Sequence, residues 1–90
     1  MRRQLSRAQE MADYEYTDYF QTQVLSRRPY LRKHWCIWVI ENAVCMEAQE
    51  LNRFRFWAPV SALGGRYLRV VTLEDKVTIH NAFPDRGFRP

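Results

Sequence analysis

The sequence predicts an α+β domain, one main helix packed on a four- to five-stranded, mostly antiparallel sheet. Three observations carry that expectation. The second half of the chain is a succession of segments, each seven or eight residues long, in which apolar residues alternate or run together between turn residues. One earlier stretch, Lys33 to Asn42, follows a proline and carries an apolar stripe at helical spacing. At 90 residues and 47% hydrophobic content, with five Phe, five Tyr and three Trp, the chain has apolar area for one core and not for two.

The elements are expected in the following order. Residues 1–12 are mostly polar and read as a flexible N-terminal extension, leaving residues 13–90 as a single domain. Met11 offers a second translation start besides Met1. Tyr14, Tyr16, Asp18, Phe20, Thr22, Val24 and Ser26 recur with a period of two, which predicts a strand from Phe20 to Ser26. Pro29 interrupts the pattern and disfavours helical angles at Arg28.

From Lys33 to Asn42, Trp35, Trp38, Val39 and Asn42 share one helical face, and Cys36, Ile37 and Ile40 widen it. Trp35 and Trp38 are therefore expected in the core, and His34 at the surface. The run WCIWVI also suits a buried strand, and periodicity does not separate the two. Val44–Glu50 then alternates as a strand, and Leu51-Asn52 makes a tight connection. Arg53–Val60 alternates cleanly, with Phe54, Phe56, Ala58 and Val60 on one face and Arg53, Arg55 and Trp57 on the other. Ser61–Gly65 is a turn. Arg66–Leu73 is apolar on both faces, as a central strand is. Glu74–Lys76 turns the chain into a last strand, Lys76–Phe83, and PDRGFRP is a short tail.

Charge and cysteine content narrow the class. Fourteen Lys and Arg face ten Asp and Glu, and all but Lys33 and Lys76 of the basic residues are arginine. Arginine's planar fork of donors suits phosphate and carboxylate partners. A GC-rich coding sequence produces the same bias. Cys36 and Cys45 have neither CxxC spacing nor a second ligand pair, so both are expected as reduced thiols and no zinc site or other cofactor is expected. No apolar core of a signal peptide follows the basic N-terminus, and the longest apolar run, Trp35–Ile40, is too short to span a bilayer. A soluble cytoplasmic protein is expected.

The strand alternation also predicts an open sheet face. With Phe54, Leu68 and Ile79 turned to the helix, Arg53, Arg55, Trp57, Tyr67, Arg69, Lys76, Thr78 and His80 face outward, free of carboxylates. Arg66 and Arg86 reach its rim. Arginines bind phosphates, and flat Trp57 and Tyr67 suit unstacked bases, so Arg53, Arg55, Trp57 and Tyr67 are the candidate RNA-binding residues. RNA carries its own nucleophile, the 2′-hydroxyl. Its cleavage needs a base, cations for the charge growing on phosphorus, and a donor for the leaving oxygen. His80 is the candidate base, Arg69 with Arg55 the candidate stabilisers, and Arg86 the group for the flanking phosphate or leaving oxygen; no metal is required. The bland counterparts are a solvated histidine, a wet arginine face, and an Asp85 that shapes the Pro84-Asp85 turn or pairs with Arg86 or His80.

The run RYLRVVTLEDKVTIHNAFPDRGF, preceded by RFRFWAPV and by the RPYL…W helix entry, resembles a family of small bacterial proteins. More distantly it is similar to the RelE/BrnT-like toxins of toxin–antitoxin systems. The resemblance implies a messenger-RNA endonuclease, free or ribosome-dependent, neutralised by a small antitoxin. It places Arg53 and Arg55 on the basic middle strand, Arg69 on the next, His80 on the last, and Arg86 with Phe88 in the tail. The chain departs from those toxins in showing one helix rather than two before the sheet, in carrying arginines where they often carry lysines, and in ending Phe-Arg-Pro. Two readings follow: a toxin-like, metal-independent endoribonuclease, and a non-catalytic module that binds protein or nucleic acid through the same face. The free strand edge of so small a sheet suits a dimer or a complex with the antitoxin.

Overall fold

The computed structural model describes residues 14–90, and the expected N-terminal extension over residues 1–12 lies outside them. The architecture is α+β, a five-stranded mixed sheet with two short helical segments. The strands are β1 (Glu15–Tyr16), β2 (Cys45–Gln49), β3 (Arg53–Val60), β4 (Arg66–Thr72) and β5 (Thr78–Pro84), in the spatial order β1-β5-β4-β3-β2. Among the described residues only the β1–β5 pairing is parallel.

The strand expected over Phe20–Ser26 is helical. A π-helical turn, Phe20–Val24, runs into a short α-helix, Leu25–Arg27, and together they form α1. Tyr16, Phe20 and Val24 are spaced by four, so they satisfy a period of two and one helical face equally well. Thr17 breaks the tie: its Oγ1 accepts the N–H of Phe20 at 3.0 Å and caps the helical segment. Phe20 and Val24 are then fully buried against the sheet.

The second helix, α2 (Lys33–Glu41), lies over β3 and β4. Its buried residues are Cys36, Ile37 and Val39, while Trp38 is 45% exposed, against the expectation of a core residue. At about 100° per residue, Trp38 lies on the far side of the helix from Cys36, and the sheet takes the small thiol at the close approach. Burial pushes the Cys36 thiol up to about 12, so it is an inert core group. Cys45 is free and half-buried.

The inner face of the sheet follows the alternation. Phe56 pairs with Val70 and Val70 with Ala82, while Ala58 pairs with Leu68, and these residues form the core with Phe20, Val39 and Ile79. Each large apolar side chain buried there contributes roughly 1.5–3 kcal/mol relative to exposure. The β2–β3 connection places Leu51 and Asn52 at φ of 68° and 58°, a left-handed path that favours glycine or asparagine. Lys76 is not on the outer face: it lies in a left-handed turn with its ammonium 4.6 Å from the ring centre of Phe54, an inward residue. Among the described residues no helix is long and apolar enough to cross a membrane.

Candidate nucleic-acid interface

A β-bulge puts His80 where it is. Val71 pairs with Asn81, but Thr72 pairs with Ile79, so His80 is the extra residue in β5. The bulge lets Ile79 and Ala82, three apart, both face the core at 0% exposure, and it turns His80 away from that core.

Thr17 and Tyr19 touch the imidazole, and Arg53 reaches it through charge. Thr17 Oγ1 lies 3.0 Å from its Nδ1, and Tyr19 stacks on the ring with centroids 4.9 Å apart. Arg53, from β3, acts on it through charge. Burial first, and then the Arg53 guanidinium, hold His80 below the ordinary imidazole value. The ring is thus neutral near pH 7. In the tautomer whose Nδ1–H donates to Thr17 Oγ1, the lone pair of Nε2 is free to accept a proton. Among the described residues Arg53 has no carboxylate in ion-pair range.

The centre of the face is different. Trp57 is 4% exposed and is no open platform. Arg55 and Arg69 flank it, each guanidinium carbon 5.6 Å from the indole centre, and Phe88 lies flat on it at 4.7 Å and 13°. The indole Nε1–H donates to Asp85 Oδ2 at 2.9 Å, and Arg69 Nη1 approaches the same oxygen at 3.6 Å. The Trp57 hydrogen bond holds the Asp85 carboxyl below the usual carboxylate range, helped by the N–H of Gly87 and by Arg69, against a smaller opposing effect of burial. Arg55 pairs with Glu47 of β2 at 3.2 Å. The face therefore carries two carboxylates that strand alternation alone did not place there, and Asp85 pairs with Arg69 rather than with Arg86 or His80.

The candidate residues fall into separate groups. Arg69 pairs across the sheet with Phe83, three residues along β5 from His80, roughly 10 Å at strand rise. Arg86 is exposed beyond the far end of β5, beside a cavity of about 230 Å³ shared with Arg66, Tyr67 and Phe88. His80, Arg69 and Arg86 do not meet at one point. Tyr67 is half-buried and touches Phe88, ring centres 5.0 Å apart. Thr17 and Tyr19 were missed because their segment read as part of a strand approach. The Thr-x-x-Phe cap was a local signal for the helix, but nothing local pointed to His80, 63 positions from Thr17.

On the opposite side of the molecule, His34, Trp35, Trp38 and Glu41 of α2 line an apolar groove of about 540 Å³ with Pro59 and Val60. Among the described residues no group of three or more His, Cys, Asp or Glu is placed to hold a metal ion. Compared with known proteins, the chain matches no protein-family model, no curated protein and no solved structure.

Proposed function

We propose that the open sheet face binds single-stranded RNA and that the His80 corner cleaves it, as in a toxin-like endoribonuclease with a RelE-like arrangement of helix and sheet. One observation carries the reading: a half-buried histidine with one ring nitrogen fixed by Thr17 and a ring stacked by Tyr19, within electrostatic reach of an arginine that has no carboxylate partner among the described residues. A neutral imidazole beside a phosphate-binding cation suits removal of the 2′-hydroxyl proton. The proton passes to Nε2, the 2′-oxygen bonds to phosphorus, and the 5′-oxygen leaves and takes a proton from water. Arg53 holds the phosphate and offsets the charge that grows on it. The products are a 2′,3′-cyclic phosphate and a 5′-hydroxyl end.

This assignment moves the cationic role nearest the base from Arg69 and Arg86 to Arg53. The resemblance to RelE/BrnT-like toxins adds the setting: messenger RNA, free or on the ribosome, in the cytoplasm, and a small antitoxin that covers the face. The test is incubation of the purified protein with single-stranded RNA in EDTA, wild type against His80→Ala. Cyclic-phosphate ends from the wild type alone are expected. Equal cleavage by both proteins would remove His80 from the mechanism.

A second reading has its own support. Arg55 and Arg69 are already paired with Glu47 and Asp85, which suits a face that binds a partner without reacting with it. RNA binding without cleavage by the wild type would favour that module.

A further inference from the structure

We propose that Trp57, with Arg69 and Arg55, is a subsite for one unstacked base and its adjoining phosphate, and that the tail occupies it in the resting chain by imitating that ligand. The inference rests on the RNA-binding reading above and names what a second part of the same face would take. Phe88 stands where the base would lie: its ring is parallel to the indole within 13° at 4.7 Å, an arrangement in which an unstacked base also fits on an aromatic side chain. Asp85 stands where the phosphate would lie. Its Oδ2 receives the indole N–H at 2.9 Å and lies 3.6 Å from Arg69 Nη1, so one anionic oxygen already sits among the donors.

The donors are not used up by this arrangement. Arg55 Nε and Arg69 Nε are both buried without an acceptor, a state that is rare for buried polar atoms. The Nε edge of a guanidinium is one that a phosphate can engage in a paired contact, and a phosphate has more acceptor oxygens than the single carboxylate.

The tail is held mainly through side chains: the Trp57 N–H and the Gly87 N–H both donate to the Asp85 carboxylate, and Phe88 stacks on Trp57. Past the Asp85 N–H bond to Tyr67, its own backbone bond is the turn Phe88 N–H to Asp85 O, at 3.3 Å. Arg86, Gly87, Arg89 and Pro90 are exposed. The cavity of about 230 Å³ beside it is lined by Arg66, Arg86 and Arg89 together with Asp85. Were the tail to swing aside, Arg86 and Arg89 would move with it, and Arg55 and Arg69 would be left around the uncovered indole.

The experiment compares wild type, Phe88→Ala and Phe88→Leu for binding a short fluorescent single-stranded RNA over a series of salt concentrations. The indole N–H signals are followed by NMR, and Trp57→Phe assigns the Trp57 signal. Phe88→Ala is expected to bind about tenfold tighter, since one base stack gained on an aromatic ring is of that size. The slope of log affinity against log salt should steepen by about 0.7, because the phosphate adjoining the newly stacked base adds one contact. The Trp57 signal should move with RNA in Phe88→Ala and stay still in wild type. Phe88→Leu keeps apolar cover without a flat ring and should fall between, which guards against a folding defect in Phe88→Ala. RNA binding that is equal in all three, with the Trp57 signal still, would overturn the subsite and leave the His80 corner standing. Absence of RNA binding in every protein would overturn both. Binding by Phe88→Ala alone would support the covered subsite.

Discussion

The corner around His80 and the centre around Trp57 lie on one sheet face and are built from the same residue types, arginine beside an aromatic or imidazole ring. At the centre each arginine has a carboxylate, Glu47 for Arg55 and Asp85 for Arg69, and the indole is covered by Phe88. At the corner, among the described residues, a hydroxyl and a tyrosine ring lie against the imidazole and Arg53 has no acid. Pattern alone does not separate a spent cation from an available one. What separates them is what packs on each: the segment after β1 lies against His80, while Glu47 of β2 and the segment after β5 supply the acids and the ring at the centre.

The largest expected effect contrasts the two as structure. Trp57→Ala removes a nearly buried indole and should lower unfolding free energy by about 3–5 kcal/mol in urea denaturation. His80→Ala, at a half-exposed bulge, should change it by less than about 1 kcal/mol. Equal losses would erase the distinction between a structural centre and a chemical corner. Asp85→Ala comes next. It leaves the indole N–H without its acceptor and should cost about 1–2 kcal/mol in the same assay.

Thr17→Val sharpens the corner. Loss of the cap should cost about 1 kcal/mol, and RNA cleavage should fall further than stability does, because the ring loses the partner that orients it. A drop in cleavage no larger than the drop in folded fraction would reduce Thr17 to a cap.

The smallest effect is read from pH. Because burial and Arg53 hold His80 below its ordinary value of 6.5, the unfolded chain takes up that proton first as pH falls. The corresponding stability is complete above 6.5 and is lost as pH falls through the folded value. His80→Gln should flatten that stretch of the stability profile. Arg53→Ala removes the repelling charge, so the acid limb of cleavage should move to higher pH. A limb that stays in place would mean that Arg53 does not set the histidine.

Much of the fold was legible in the sequence. The expected strand Arg53–Val60 has those bounds in the structure, because its alternation of aromatic and arginine residues admits one phase. The expected helix Lys33–Asn42 differs from α2 by one residue. The failures share a cause in ambiguous spacing. Residues four apart in Tyr16, Phe20 and Val24 fit two periods, and only the Thr17 cap decides between them. Trp38 was assigned to the apolar face it shares with Trp35 and Val39, whereas the helix turns Cys36, Ile37 and Val39 to the sheet. Of the candidate site, the outward arginines and His80 were legible from alternation. The bulge, the Tyr19 stack and the fold-back of Phe88 were not, because each depends on a contact between distant segments.

The measurement that tests the account most directly is NMR of the His80 imidazole and the Trp57 indole in wild-type protein as single-stranded RNA is added. The account predicts that the His80 ring signals move in proportion to RNA bound while the Trp57 N–H stays where it was. Movement of Trp57 with a silent His80 would contradict it and would place the open site at the centre of the sheet.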